Sequence, residues 1–217
     1  MNYRLRMLIQ LAGSAALLAF VPSNVARLLL FPIWWLLTFR RLTRRELVLY
    51  VAAGALFTVL DYMTLSQKIF EFTHPDFLLM PCYEPLLWGY LLLHTLHMVD
   101  GPTPGGNRWL PVAWTAAFTL PFLVLTNPVV LFAVSGAVLL AGLAIFRGLY
   151  DFAYVGYLIF VGAVWEYTGV WSGQWHYPGD PPGGVAPWFV PMWGGIALAL
   201  RRLILPMLRP AGKPLAG

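Results

Sequence analysis

Two stretches decide the fold of this chain: Glu46 to Met63, ELVLYVAAGALFTVLDYM, and Asp151 to Thr168, DFAYVGYLIFVGAVWEYT. Each is a nearly uninterrupted apolar run with carboxylates at its start and near its end. A helix of roughly 20 such residues crosses a hydrocarbon core of about 30 Å. Continuous apolarity, in place of strict alternation, argues for helices and against the strands of a membrane barrel.

A shift of 105 positions superimposes the two stretches without a gap. Glu46 falls on Asp151, Asp61 on Glu166 and Tyr62 on Tyr167. The register continues into the next loop, where Phe70-Glu71-Phe72 falls on Trp175-His176-Tyr177. With one residue inserted, Pro81-Cys82-Tyr83-Glu84-Pro85 falls on Pro187-Trp188-Phe189-Val190-Pro191, and after one deletion Trp88-Gly89 falls on Trp193-Gly194. The pattern is that of a duplicated three-helix unit, approximately 24–99 and 129–206, with a connecting helix at 110–126, all within one transmembrane domain.

Further apolar runs lie at 78–99, 110–126, 129–146 and 186–206. From Met7 to Phe39 the run is interrupted by Pro22-Ser23-Asn24 and then Arg27, so it forms either one broken helix or a tight helical pair. The fold class is therefore all-α, a polytopic membrane bundle of about seven transmembrane helices. Corresponding helices are four spans apart, an even number, so the two repeats share one orientation, and a pseudo-two-fold along the membrane normal brings Asp61 and Glu166 toward a shared cavity.

Composition excludes the soluble classes: 59% of the residues are apolar, 11% are charged and the mean hydropathy is +0.70. The net charge of +5 comes from basic residues that flank apolar runs, which excludes a nucleic-acid groove. Ten of the fourteen basic residues fall on one face: Arg40, Arg41, Arg44, Arg45, Arg108, Arg147, Arg201, Arg202, Arg209 and Lys213. That face reads as cytoplasmic in a multi-pass protein of the cell membrane, with loops 64–77 and 172–187 on the opposite side. Cys82 is alone, so the chain holds no disulfide framework. The first apolar run ends without a small-residue cleavage site and reads as mature protein.

An acid inside a bilayer is costly and is a functional candidate by default. Glu84, Asp61 and Glu166 are the three catalytic candidates. The structural alternatives are a first-turn acid at a helix dipole for Glu84 and hydrogen-bonded helix ends for the other two. Glu46 and Asp151 begin their helices near arginines, and dipole complementation or an ion pair accounts for them. Aromatic faces stabilise cations, so Tyr62, Trp88, Trp165, Tyr167, Trp175, His176, Tyr177, Trp188 and Trp193 are candidate walls of a substrate pocket. An aromatic belt at the headgroup level is the competing account. His94, His97 and Asp100 have helical spacing suited to a metal, although hydrogen bonding at a helix end explains them. No metal or cofactor is expected, and no phosphate-cradling glycine loop is present.

A span ending in an acid, an aromatic-x-aromatic loop and Pro-x-x-Glu opening the next span, here Asp61, Phe70, Phe72, Pro81 and Glu84 followed by Trp88, resembles the lycopene cyclase domain. The broader group includes membrane carotenoid hydratases and small integral-membrane terpene cyclases. The resemblance covers roughly 46–206 and implies a redox-neutral isoprenoid cyclase. In it Glu84 protonates an alkene or epoxide, and Asp61 with Glu166 polarise the substrate and remove the final proton. The sequence departs from the family in having Tyr83-Glu84 where two acids are usual, and Val190 at the second-copy position of Glu84.

Three alternatives stay open beside the cyclase. Water in place of an alkene would make the enzyme a hydratase. A non-enzymatic structural or lipid-binding subunit of a membrane complex would use the same belts and repeat for packing, and a transporter is a third reading. The partners expected are a hydrophobic isoprenoid, membrane lipids and further copies of the chain, with no nucleic acid.

Overall fold

The computed structural model describes residues 2–39 and 41–208. Arg40, Arg209 and Lys213, which entered the charge argument, lie outside the described residues. The described residues are mostly helical: α1 (Tyr3–Phe20), α2 (Asn24–Thr38), α3 (Arg44–Ser66), α4 (Glu84–Val99), α5 (Trp109–Val124), α6 (Pro128–Phe146), α7 (Leu149–Trp171) and α8 (Phe189–Ala199). A π-helical turn, Leu200–Ile204, carries α8 into a final α-helical turn, α9 (Leu205–Leu208). Two short strands, β1 (Glu71–Phe72) and β2 (Trp175–His176), complete the described elements. Three helices are long and apolar enough to cross a membrane: α3, α6 and the rod Pro182–Leu208. The protein is a membrane helical bundle.

The stretch from Met7 to Phe39 resolves into a helical pair. Val21 caps α1 in an extended conformation, Pro22 cannot continue the helix, and the Ser23 hydroxyl accepts from Ala26 N–H to open α2. A side chain at Gly13 would lie 2.4 Å from the Trp34 ring, so glycine lets α2 lie close against α1.

Compact packing divides the chain into two units, Met1–His94 with Val164–Val185, and Thr95–Ala163 with Ala186–Gly217. In the first unit, a buried polar chain links α1, α2 and α4. Gln10 Nε2 donates to Thr38 Oγ1 at 2.6 Å and Gln10 Oε1 lies 2.9 Å from His94 Nδ1. Ser14 bonds Tyr90 Oη at 3.1 Å and accepts from Trp35 Nε1 at 3.1 Å, while the Trp35 and Tyr90 rings stack at 4.3 Å. His94 is thus engaged with Gln10, and among the described residues no three His, Cys, Asp or Glu side chains are placed to hold a metal ion.

The two helices related by the 105-residue shift start with similar chemistry. At the start of α3, Glu46 accepts from Thr43 N–H at 2.7 Å; at the start of α7, Asp151 accepts from Gly148 N–H at 2.8 Å. Both acids satisfy an orphan donor of their own helix, the role of the third residue in a capping box. In the first unit α3 and α4 cross where a Cβ at Gly54 would meet Pro85 O, and one at Gly89 would meet Tyr50 O, each at 2.5 Å. In the second unit, Gly194 of α8 packs on Val155 and Ile159 of α7, the equivalents of Tyr50 and Gly54. Phe57 stacks on Trp88 at 4.2 Å, and their equivalents, Gly162 and Trp193, are also in contact.

A third element of symmetry lies in the loops. β1 and β2 pair antiparallel with Glu71 opposite His176 and Phe72 opposite Trp175. Glu71 and His176 are repeat equivalents that face each other. Phe72 with Trp175 and Phe70 with Tyr177 form the reciprocal ring pairs, at 5.7 and 6.1 Å. A residue facing its own equivalent, flanked by exchanged pairs, is what a local two-fold axis produces.

The loop after β1 is tied to α2. Asn24 Nδ2 donates to His74 O at 2.8 Å and to Asp76 Oδ2 at 3.0 Å, and Asp76 Oδ2 also accepts from Cys82 N–H at 2.8 Å. The Cys82 backbone bond, with Asn24 adding to it, holds the Asp76 carboxyl below the ordinary aspartate range. Its stabilising effect is therefore complete above the ordinary range and is lost as pH falls through the lowered value. Hydrogen–deuterium exchange over 74–82, corrected for intrinsic rate, should accelerate at acid pH; Asp76→Ala should show that faster exchange at neutral pH already.

The crossing glycines give a second expectation. Gly89→Ala should lower the thermal midpoint of purified protein, because the methyl meets backbone that cannot swing aside, an overpacking cost of about 1–3 kcal/mol. Gly136→Ala on α6, with nothing within 4 Å of the new methyl, should be neutral or stabilising by up to about 1 kcal/mol.

Candidate functional site

The first unit brings the three candidate carboxyls together. Asp61 lies near the C-terminal end of α3, Glu84 opens α4, and Glu166 lies near the C-terminal end of α7. All three are buried. Glu84 is within electrostatic reach of both Asp61 and Glu166. They are nevertheless not arranged to share one ion, since no metal-holding cluster exists among the described residues.

Indole and phenol groups fix two of the three. Trp88 Nε1 donates to Asp61 Oδ2 at 2.7 Å. Glu166 Oε2 accepts from Trp175 Nε1 at 3.1 Å and from Tyr177 Oη at 2.6 Å. The geometry has a local cause: a Cβ at Gly169 would lie 2.0 Å from the Trp175 ring, so the bare backbone lets the indole of β2 lie against α7 and reach Glu166. Burial first, and the Glu166 carboxyl second, push the Tyr177 phenol well above its ordinary value, so it stays a donor.

Glu84 differs. Its backbone N–H bonds Pro81 O at 3.1 Å in the turn that starts α4, but Oε2 is buried and has no hydrogen-bond partner among the described residues. The neighbouring Tyr83 is fully buried, with its ring under the Arg27 guanidinium at 5.4 Å and against Phe31 at 5.7 Å. Phe31 in turn touches Trp165 at 6.2 Å and Trp35 at 5.2 Å.

Of the aromatic candidates, Trp88, Trp175 and Tyr177 bond the carboxyls directly, and Trp165 belongs to the Phe31 cluster. Tyr167 packs on Trp171 at 5.3 Å. Tyr62 is exposed, and His176 sits at the exposed rim 3.6 Å from Glu71 Oε2, so neither bonds the acids. Trp188 and Trp193 belong to the second unit, where Trp188 meets Phe122 at 6.2 Å and Trp193 lies on Gly162. Phe57, Phe31, Tyr83 and Arg27 were not among the candidates. Phe57 alone carried a sequence signal, as an aromatic one helical turn before Asp61. An apolar groove of about 350 Å³ lies elsewhere in the first unit, between α1 and α2, lined by Gly13, Leu17, Leu30, Ile33, Trp34 and Leu37.

No protein-family model and no curated protein matches the chain. Solved structures do. A crystal structure of a cross-linked trimer of a cysteine variant of MvINS superimposes with a TM-score of 0.65 at 17% identity, covering 81% of this chain and all of that one. The mycobacterial Insig homologue MvINS from Mycobacterium vanbaalenii gives 0.61 at 16% identity over the same shares. At such identity the likeness establishes the fold.

This corrects the resemblance to the lycopene cyclase domain and to the carotenoid hydratases and terpene cyclases: the neighbours have an Insig-type fold. The physical reason for the misreading is visible at Pro81–Glu84. A proline just before a helix and an acid in its first turn are ordinary helix-start chemistry. The aromatic-x-aromatic loop is likewise accounted for by the β1–β2 ladder.

The Asp61–Trp88 bond can be tested as a pair. Trp88→Phe leaves a buried carboxyl oxygen without that donor and should lower stability by about 1–3 kcal/mol. In a double-mutant cycle of thermal midpoints with Asp61→Leu, the double variant should lose clearly less than the sum of the single losses.

Proposed function

We propose that this chain is a non-catalytic lipid-binding protein of the membrane, and that the carboxyl cluster of its first unit holds the polar end of a lipid. The observation that carries this reading is the unequal treatment of the three acids. Asp61 Oδ2 and Glu166 Oε2 already accept from indole or phenol donors, as fixed parts of a frame do, whereas Glu84 Oε2 is buried with no hydrogen-bond partner among the described residues. A buried polar atom left without a bond costs about 1–3 kcal/mol, which a ligand atom would recover. A hydroxyl suits Glu84 best, because it donates to a carboxylate and accepts from a carboxylic acid. Aromatic rings around the cluster offer the apolar wall that a lipid needs.

The ligand class is an uncharged amphiphile with a hydroxyl at its polar end, and an isoprenoid alcohol is one member. The Insig-type fold supports a binding role over cyclisation. The trimeric state of the cross-linked neighbour supports assembly of this chain with copies of itself or with other membrane proteins.

The test is to purify the protein in detergent, extract it with organic solvent and identify co-purifying lipid by mass spectrometry. A hydroxyl-bearing lipid should be recovered near one per chain. Glu84→Ala should reduce that occupancy several-fold while the protein stays folded by thermal shift. Equal recovery from both proteins would remove Glu84 from the site. A cyclised or hydrated isoprenoid found in producing cells only when the chain is present would overturn the non-catalytic reading.

A further inference from the structure

The second unit contains a cation that the first unit's site does not involve. The backbone N–H of Leu205 bonds Leu200 O, a five-residue step that makes the turn at Leu200–Ile204 a π-helix, and it carries Arg201 and Arg202 in succession. Such single π turns occur often at functional sites. Arg202 is paired: Nε donates to Asp151 Oδ1 at 2.7 Å, Nη2 bonds Asp151 Oδ2, and Nη2 also donates to Phe146 O at 3.0 Å. Asp151 Oδ2 accepts from Gly148 N–H as well. The charge of Asp151 is therefore matched by Arg202, and both of its oxygens are occupied.

Arg201 is left over. It is 5% exposed, its guanidinium lies 5.5 Å from the centres of both the Tyr150 and the Tyr154 ring, and its Nε and Nη1 have no hydrogen-bond partner among the described residues. Ring faces attract the cation but give its in-plane N–H groups no acceptor. One net positive charge remains from Arg201, Arg202 and Asp151. The loop that packs on Tyr150 through Gly101 carries a buried hydroxyl, that of Thr103, with no hydrogen-bond partner among the described residues.

We infer that Arg201 binds a phosphate oxyanion, and that the headgroup of an anionic phospholipid supplies it. A planar guanidinium with free in-plane donors matches two oxygens of a phosphate in a forked pair. The position favours a lipid over free phosphate. Arg201 lies near the end of the long apolar rod Pro182–Leu208, and its neighbour Arg202 reaches the last residue of the apolar helix α6. Ends of membrane-crossing helices lie at the headgroup level. This inference is independent of the carboxyl cluster in the first unit.

The experiment uses delipidated full-length protein in detergent, with native mass spectrometry and thermal shift as readouts. The probes are dioleoyl phosphatidic acid, dioleoylglycerol, which lacks the phosphate, and inorganic phosphate. Phosphatidic acid should form a one-to-one adduct and raise the thermal midpoint, and dioleoylglycerol should not reproduce that rise in a Glu84→Gln background. Arg201→Gln should weaken the adduct by about tenfold or more, and Arg201→Lys, which keeps the charge but loses the fork, by less. Glu84→Gln should leave the adduct unchanged, which separates this site from the one in the first unit. The inference is overturned if phosphatidic acid forms no one-to-one adduct with the wild type and does not raise its thermal midpoint, a measurement that needs no variant to fold. An undiminished adduct in folded Arg201→Gln overturns it too. Displacement of the lipid by millimolar inorganic phosphate would overturn the lipid as the source.

Discussion

The structure is governed by one constraint: a polar group buried among helices in an apolar frame has to find its partner inside the protein. The placement of many buried polar groups in both units follows from it. Gln10 is placed so that its amide serves both Thr38 and His94, and Ser14 serves Tyr90, Trp35 and the carbonyl of Gln10. The acids at the starts of α3 and α7 turn back to cap their own helices. Asp61 and Glu166 take indole donors that come from α4 and β2. Among the described residues the rule is broken at a few side chains, including the Nε of Arg6 and Arg27 and several hydroxyls. Glu84 Oε2 and the Nε and Nη1 of Arg201 are the charged exceptions on which the two proposed sites rest.

Much of the frame could be read from the residues. Apolar runs of crossing length located the helices, and the acids that recur at a spacing of 105 fall at matching helix positions, because caps have to sit at fixed places along a helix. The α1–α2 break was legible as a break, though not as a pair, since a proline states where a helix stops but not how the chain returns. At the carboxyls, the acids and the aromatics Trp88, Trp175 and Tyr177 could be named from the sequence, but not which of them pair. The indole that reaches Asp61 is 27 residues away, and the imidazole that meets Gln10 is 84 away. Such pairings follow from how helices cross, and local spacing holds no trace of them. The family resemblance failed for a related reason, since its residues around Pro81 and Glu84 are those that helix starts and tight loops use anyway.

The aromatic residues show how one type serves several ends. Trp35 stacks on Tyr90 and donates to Ser14, so it packs and satisfies at once. Trp88 does the same with Phe57 and Asp61. Indole suits these positions because it offers a large apolar face and a single in-plane donor with no acceptor to satisfy in return. Glycine completes the device: at Gly169 and Gly13 the missing side chain is the space that the ring occupies.

The two stretches related by the 105-residue shift share local chemistry and differ in what they leave unpaired. Both cap their first helix with an acid, and both cross their helices at glycine. In the first copy the helix after the ladder opens with Glu84, whereas the second has Val190 at that position, so only the first copy leaves a carboxyl there. The second instead ends its last helix in a π turn that frees Arg201. Duplication supplies a frame in which caps and crossings must be preserved for the helices to pack at all. Residues outside those constraints are free to differ: among the described residues the first stretch leaves a buried carboxyl oxygen without a hydrogen bond, and the second leaves two buried guanidinium nitrogens so.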